Sequence, residues 1–419
     1  MDQPDGRAPG TPGGDAATEA LIAQLEARGL APPQSGRTQA FAMSTRRTSG
    51  KGVLTWGGRR RVAGDGWDAV PGSWALESWV AFPFDAPFES RDISVGSLVP
   101  VWRVTGEPVA DAGIAQITIE TSLHLWLSGE EATIVLEPAI VTGRNVMAWV
   151  PGRGALAEEV VIVGGHRDHL APVGGHVFPG ADDNASGVAA TVCALQAFAE
   201  EDPLGDRRAV LGVWFDGEED GMWGSAAYVA DPAVPLASTA AVVVLDMVGR
   251  LRDETLTVGG TAAEAWRAWL APDTTLTLAT DASPSNSDDI MFGALGLRAV
   301  HLFTGKHEDY HMPTDTADRL DLGGIARITE LTAGALGRLT TSASLPAPGP
   351  ATDPGLRVGG VDGHGRPVVG AVVPYSVAAL DGWQPGDAAV YAKDFGFHVE
   401  PCIWQYSWER IARAPVPEP

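Results

Sequence analysis

Histidine and acidic residues of this chain recur in short segments at the ends of apolar runs. His166 and Asp168 follow the run EVVIVGG, and Glu218 and Glu219 follow AVLGVWFD. Asp246 lies near the end of AAVVVLDMVG. Zinc binds imidazole nitrogen together with carboxylate oxygen, whereas calcium and magnesium prefer oxygen alone. These residue types therefore indicate a zinc site, with manganese or cobalt as alternatives.

Two further segments carry residues of the same kind. Asp182, in PGADDNASG, immediately precedes a predicted helix, and His311, in EDYHMPTDT, follows the apolar run RAVHLFTG. Taken singly, each motif has an ordinary explanation, because acidic pairs are common in solvated turns and Asp182 and Asp183 could simply cap the helix. Taken together, so many carboxylates in one crevice would be unfavourable unless protons or cations neutralised them.

The elements that must position these side chains alternate between apolar strands and helices. Predicted strands end at Gly165, Asp216, Gly249 and Gly305. Helices are predicted between them, at 185–200, 262–270 and 325–339. Runs that are apolar throughout are typical of parallel strands buried on both faces. The pattern predicts an α/β fold in which helices flank a mostly parallel or mixed central sheet, with the ligand crevice at the carboxyl ends of the strands.

The regions on either side of this core have different compositions. The first 16 residues are rich in Pro, Gly and Asp, and we predict a disordered tail there. Short β-like runs follow a predicted helix, and a Pro-rich stretch later in the chain has the composition of a linker. The predicted units are a tail at 1–16, a helix and β-rich region at 17–140, the α/β core with its metal site at 141–344, a linker at 345–355 and a small β-rich domain at 356–419.

The charge of the chain argues against polyanionic partners. With 29 Lys and Arg against 53 Asp and Glu, the formal net charge of -24 repels nucleic acid and anionic membranes. No uncharged apolar run approaches the ~18 to 20 residues that cross a bilayer. Because the amino-terminal residues also lack the pattern of an export signal, we predict a cytoplasmic protein unless an upstream leader has been removed. The sequence does not indicate an oligomeric state.

Five segments together resemble the M28 family of zinc aminopeptidases, which has such segments in the same order and at comparable spacings. They are GGHRDH, PGADDNASGV, FDGEEDGMWGS, LDMVG and DYHMPTDT. The resemblance covers the predicted core and implies two Zn2+ ions per chain. By this resemblance, His166 and Asp246 would bind one zinc, Glu219 and His311 would bind the other, and Asp182 would bridge both.

The same resemblance implies the catalytic roles. Two zinc ions would lower the pKa of a bridging water towards about 7. Glu218 would be the general base that takes its proton and passes it to the leaving amine. Tyr310 would donate a hydrogen bond to the developing oxyanion, and Asp168 would orient the first imidazole ligand. The resemblance also implies a cis peptide bond between Asp182 and Asp183.

Some residues near the motifs depart from the family's pattern. His169, His176, His301 and His307 match no ligand position, and we predict surface or supporting roles for them. The segment SNSDDIMF has Asp289 where many relatives have His, which would alter the rim of the substrate pocket. In the carboxyl-terminal region, YSVAALDGWQPGDAAVYA resembles PDZ domains where they read S-x-A-x-x-x-G-x-x-x-G-D.

The function implied is hydrolysis of N-terminal residues from peptides. Relatives of this family also include carboxypeptidases and aminoacyl hydrolases, which would keep the same metal centre. A different alternative is a non-catalytic scaffold whose carboxyl-terminal domain binds a peptide carboxylate. Scaffolds of that kind usually lose metal ligands, whereas every expected ligand position is filled in this chain.

Overall fold

The computed structural model describes residues 6–56, 59–62, 68–69, 102–103, 121–127, 130–172, 176–282, 287–350, 356–361, 367–372, 389–391 and 411–413. Its strands are β1 (Thr38–Trp56), β2 (Arg59–Val62), β3 (Asp68–Ala69), β4 (Trp102–Arg103), β5 (Thr121–Leu127), β6 (Glu130–Val150), β7 (Val160–His166), β8 (Ala209–Phe215), β9 (Thr239–Leu245), β10 (Thr255–Gly259), β11 (Thr277–Asp281), β12 (Ala299–Phe303), β13 (Leu356–Val361), β14 (Pro367–Val372), β15 (Ala389–Tyr391) and β16 (Ile411–Arg413). Its helices are α1 (Pro12–Ala27), α2 (Gly187–Glu201), α3 (Trp223–Ala230), α4 (Ala263–Leu270), α5 (Asp289–Gly293) and α6 (Leu322–Thr341).

One large mixed sheet organises the core. Its strand order is β11-β10-β12-β9-β7-β8-β6-β1-β2, and β5 pairs with β6. The four central strands β12, β9, β7 and β8 are parallel to one another. Next to them, β10 runs antiparallel to β12 and β6 runs antiparallel to β8. The predicted α/β fold with a mixed sheet is confirmed.

The strand order places a crevice at the carboxyl end of β7. This strand precedes β8 and β9 in the chain and lies between them, so the chain passes from β7 to β8 on one side and then crosses β7 to reach β9 on the other. Such a switch point opens a ligand crevice in α/β sheets. A Cβ on Gly164 would lie 1.7 Å from the Val213 oxygen, and one on Gly165 would lie 2.3 Å from the Leu245 oxygen. The two glycines therefore let the neighbouring backbones approach β7 closely just before His166.

Helices cover both faces of the central strands. Val161 and Val163 of β7 pack in one apolar cluster with α1, α2, α4 and α6. Val160 and Ile162 point the other way, into a cluster with α3 and α5. Successive side chains of a strand face opposite sides, so a strand covered on both faces must be apolar at every position. This explains the continuous apolar runs.

The predicted core elements are confirmed with shifts of a few residues at their ends. The four predicted strands are β7, β8, β9 and β12, and the three predicted helices are α2, α4 and α6. Short strands β10 and β11 and helices α3 and α5 were not predicted, because their runs are too short for a clear period. One strand crosses a predicted boundary, since β6 (Glu130–Val150) contains position 140/141.

The prediction of a disordered tail over residues 1–16 is wrong for the described residues from 6 onwards. Helix α1 begins at Pro12, and Arg7 and Ala8 are buried. Thr11 caps the helix, since its hydroxyl accepts a hydrogen bond from the Gly14 N–H at 3.1 Å. Proline is favoured in the first turn of a helix, so the Pro and Gly content that suggested disorder marks a capped helix start.

The carboxyl-terminal region is described only in part. Its described strands form two antiparallel pairs, β13 with β14 and β15 with β16. Most of the segment that resembles PDZ domains lies outside the described residues, and that resemblance is not confirmed. Among the helices that the structure describes, none is long and apolar enough to cross a membrane.

Candidate metal centre

The carboxyl ends of the central strands bring histidine and acidic side chains together in one buried cluster. His166 is the last residue of β7, and Asp246 directly follows β9. Glu219 lies in the loop after β8, and His311 lies in the loop after β12. His166, Glu219 and Asp246 are buried, and the His311 side chain is only 12% exposed. Parallel strands align these ends, so distant segments meet.

The first group of donor atoms surrounds His166. Its Nε2 atom lies 3.2 Å from Oδ1 of Asp183 and 3.2 Å from Oδ1 of Asp246. Ligands of a tetrahedral zinc ion, each roughly 2.0–2.1 Å from the metal, lie roughly 3.3 Å from one another. The imidazole nitrogen is therefore spaced from each carboxylate oxygen as zinc ligands are, and His166, Asp183 and Asp246 form a group that could hold a metal ion.

The second group surrounds His311. Its Nε2 atom lies 3.2 Å from Oδ2 of Asp183 and 3.1 Å from Oε2 of Glu219. Despite these distances, this nitrogen has no hydrogen-bond partner among the described residues. The Asp183 carboxylate thus has one oxygen close to each of the two histidines. Together with His169 and Glu219 it also forms a group that could hold a metal ion.

Asp182, which we predicted to bridge the two ions, does not lie between the two histidines. Its Oδ1 accepts hydrogen bonds from the Gly249 N–H at 2.6 Å and the Ser186 hydroxyl at 2.9 Å. Its Oδ2 lies 3.1 Å from Nε2 of His307. These contacts hold the Asp182 carboxylate among Gly249, Ser186 and His307. The residue with one oxygen near each of the two histidines is Asp183.

Backbone geometry explains this displacement by one residue. The cis peptide bond joins Asp183 to Asn184, one position after the predicted bond. The turn Ala181–Ser186 contains non-helical backbone angles at Asp183 and Asn184, so the two adjacent carboxylates leave the turn in different directions. Two identical side chains in sequence cannot be distinguished until this turn is known.

Asp168 supports the loop that carries the glutamates. Its oxygens accept the N–H groups of Glu218 and Glu219 at 3.2 and 3.3 Å. Its Oδ1 also lies 3.6 Å from Nδ1 of His166, longer than a hydrogen bond. Tyr310 stacks its ring on His311 with a centroid distance of 3.8 Å. The role of its hydroxyl in stabilising an oxyanion stays a prediction.

The buried carboxylates strongly favour positive charge at this place. Burial opposes charging of His166, but Asp246 and Glu218 raise its pKa well above the usual value. Burial likewise opposes charge on His311, yet Glu219 and Asp183 raise its pKa to about 11. The same carboxylates would stabilise a divalent cation bound among them.

His169 touches the cluster, although we predicted no ligand role for it. It is fully buried, and its Nδ1 lies 2.6 Å from Oε1 of Glu219 and 4.0 Å from Oδ2 of Asp183. Gly180, with φ of 55°, makes room for the ring, since a Cβ there would lie 2.4 Å from His169 Cδ2. The available signal was the second histidine of HRDH, which follows Asp168 directly.

We expect His169→Ala to weaken zinc binding roughly 10- to 100-fold, the usual cost of losing a group that orients a metal ligand. Without the imidazole, Glu219 Oε1 loses its partner and the carboxylate can turn away. The measurement is zinc affinity by competition with a chromophoric chelator. His176→Ala is the control, because His176 is exposed and should leave the affinity unchanged. Equal affinities of both variants and the wild type would contradict the expectation.

The comparison with known proteins concerns the same part of the chain. Residues 145–336 match the model of peptidase family M28. Residues 145–336, called the M28 segment below, belong to this family. The M28 segment contains the four parallel strands and all the donor atoms described above. The resemblance seen in the motifs is therefore confirmed.

Relatives of the M28 segment are aminopeptidases by name. Leucine aminopeptidase 1 of Arthroderma otae is 36% identical over 93 residues, which cover 21% of this chain and 24% of that protein. A leucine aminopeptidase 1 of Trichophyton equinum is 34% identical over the same length. The chain thus aligns with about a quarter of the length of these relatives.

Solved structures share the fold over a larger part of the chain. An aminopeptidase from Aneurinibacillus sp. strain AM-1 aligns with a TM-score of 0.53 and 18% identity, covering 83% of this chain and 93% of that one. A zinc aminopeptidase from Bacillus subtilis aligns with a TM-score of 0.54 and 17% identity, covering 82% and 92%. At these identities the comparison concerns the fold.

Proposed function

We propose that this protein is a metal-dependent aminopeptidase that removes N-terminal residues from peptides with the help of two zinc ions. The observation that carries the proposal is the position of Asp183, whose two oxygens each lie 3.2 Å from a different histidine nitrogen. The aminopeptidases among the relatives of the M28 segment support the same activity.

Each ion would have its own nitrogen and carboxylate ligands. His166 and Asp246 would hold one ion, His311 and Glu219 would hold the other, and Asp183 would be shared. Bound there, the ions would supply Lewis acidity to the scissile carbonyl and make a water molecule more acidic. The set differs from the sequence prediction only in the shared carboxylate.

Glu218 is placed to move the proton. Its Oε2 lies 3.9 Å from Nε2 of His166, and its side chain is 11% exposed, so it borders the donor cluster and remains accessible. Burial raises its pKa above the ordinary value, helped by the charges of Glu219 and Asp246. A carboxylate of this kind takes a proton from the attacking water and gives it to the departing amine as the peptide C–N bond breaks.

Tyr310 would complete the site on the side of His311. The stacked rings restrict the tyrosine, and Lys306 Nζ lies 4.1 Å from the centre of the tyrosine ring on a cation–π contact. A hydroxyl held in this way can donate a hydrogen bond to the carbonyl oxygen as negative charge develops on it. The proposal assigns that role to Tyr310.

The relatives of the M28 segment favour a free N-terminus as the group recognised, because they are aminopeptidases. A neutral peptide amine is a ligand for zinc, and a protonated one would be attracted by Glu218, the carboxylate of the crevice that neither ion would hold. We therefore propose aminopeptidase rather than carboxypeptidase activity.

The experiment compares peptides with free and with acetylated N-termini. We expect the purified full chain to release N-terminal amino acids from the free set, to leave the acetylated set intact, and to lose activity with 1,10-phenanthroline until zinc is restored. Products are read by mass spectrometry. Cleavage from the carboxyl end, equal cleavage of both sets, or full activity after complete metal removal would contradict the proposal.

A further inference from the structure

Arg7 is a buried cation in contact with the backbone of the loop that carries Asp183. Only 2% of Arg7 is exposed, although it lies 176 positions before Asp183 in the chain. Its guanidinium donates hydrogen bonds to backbone carbonyls alone in the contacts described: from Nε to Arg167 at 3.2 Å, from Nη1 to Pro179, and from Nη2 to Gly180 at 3.0 Å and Asp183 at 3.2 Å. The Arg7 side chain thus holds the backbone at the start of the turn Ala181–Ser186 by hydrogen bonds.

Asp315 holds the other side of the same turn. Its carboxylate accepts the N–H of Asp182 at 3.0 and 3.1 Å and the N–H of Asp183 at 3.1 Å. Asp183 is therefore fixed at its amide by an anion and at its carbonyl by Arg7. With both ends of the residue held, the direction of its side chain is set before any ligand arrives.

The segment around Arg7 is itself firmly attached. The Thr11 hydroxyl donates to the Ala8 carbonyl at 2.7 Å and caps α1, which fixes the turn between Arg7 and the helix. Gly14 packs against that turn, since a Cβ there would lie 2.2 Å from the Ala8 oxygen. Arg7 consequently reaches the loop from a backbone that has little freedom.

We propose that Arg7 is a positioning residue for the metal ligand Asp183, so that the amino-terminal segment forms part of the metal centre. The inference rests on the proposed metal site. The positive charge of Arg7 cannot by itself favour metal binding, because a cation close to divalent ions repels them and weakens their binding. Arg7 can improve metal binding only through the geometry that its fork of N–H donors imposes on the loop. Lysine lacks that fork.

The test measures zinc affinity of full-length Arg7→Ala by chelator competition, together with the visible absorption of the Co²⁺-substituted protein. We expect at least roughly tenfold weaker zinc binding and an altered Co²⁺ spectrum, as for other losses of groups that orient ligands. Guanidinium ion added at millimolar concentration should restore part of the affinity to this variant. Arg7→Lys should recover little, because it keeps the charge without the planar fork.

Arg37→Ala is the matched control. Arg37 also joins the amino-terminal segment to the core through carbonyls, donating to Met147 at 3.0 Å and Leu30 at 2.7 Å, and neither of these partners belongs to the loop that carries Asp183. It should lower thermal stability while leaving zinc affinity and the Co²⁺ spectrum unchanged.

The results separate this inference from the proposed function. Zinc binding that is unchanged or tighter in folded Arg7→Ala would overturn the inference while leaving the peptidase proposal intact. If that variant does not fold, wild-type affinity in folded Arg7→Lys would overturn it equally. A wild-type chain that binds no zinc would refute the proposed metal site, and the role of Arg7 with it.

Discussion

Asp183→Asn is expected to abolish zinc-dependent peptidase activity and to reduce bound zinc to at most one ion per chain. Asparagine keeps one oxygen, but its second terminal atom is an NH2 group that cannot bind a metal. Because each oxygen of Asp183 faces a different histidine, one of the two groups of donors would lose its shared ligand. The measurements are zinc content by mass spectrometry after gel filtration and turnover of a peptide with a free N-terminus.

Asp182→Asn is the matched control for this experiment. The Asp182 carboxylate accepts hydrogen bonds from Gly249 and Ser186 and contacts His307, so this change should cost about 1–3 kcal/mol of stability and leave the zinc content near that of the wild type. The two variants distinguish the assignment from the structure, in which Asp183 is the shared ligand, from the assignment from the sequence, in which it is Asp182. Loss of zinc in the Asp182 variant and its retention in the Asp183 variant would reverse our conclusion.

Glu218→Gln is expected to lower kcat by roughly 10²- to 10⁴-fold, the range for removal of a general base. Zinc content and KM should change little, because Glu218 borders the two donor groups without supplying an atom to the closest contacts. Glutamine is nearly the same size and cannot accept and return a proton. Steady-state kinetics and metal analysis of the same preparation provide both readings.

Glu219→Gln serves as the comparison for Glu218. Its carboxylate contacts His311 and His169, so the substitution should reduce zinc affinity as well as activity. Neighbouring glutamates would thus separate into one that moves protons and one that holds metal. A Glu218→Gln protein with normal kcat, or with lost zinc, would exclude the role proposed for Glu218.

The central fold and the main donors could be predicted because they depend on local pattern. Strands covered on both faces must be apolar throughout, so β7, β8, β9 and β12 were visible as continuous apolar runs. Parallel strands end at the same edge of a sheet, which predicted that His166 and Asp246 would meet. Strand β11 at one edge of the sheet and strand β10 beside it are short and partly exposed, and the sequence carried no comparable signal for them.

By itself, the amino-acid sequence determined the class of fold, the edge of the sheet that carries the chemistry and the kind of metal ligand found there. Only the tertiary structure decided that Asp183 rather than Asp182 faces both histidines, because that choice depends on the backbone path of one turn. It also decided that His169 meets Glu219 and that Arg7 lies beneath the loop. Those contacts join segments far apart in the chain, and their energies come from burial and hydrogen bonds that no local pattern of residues reveals.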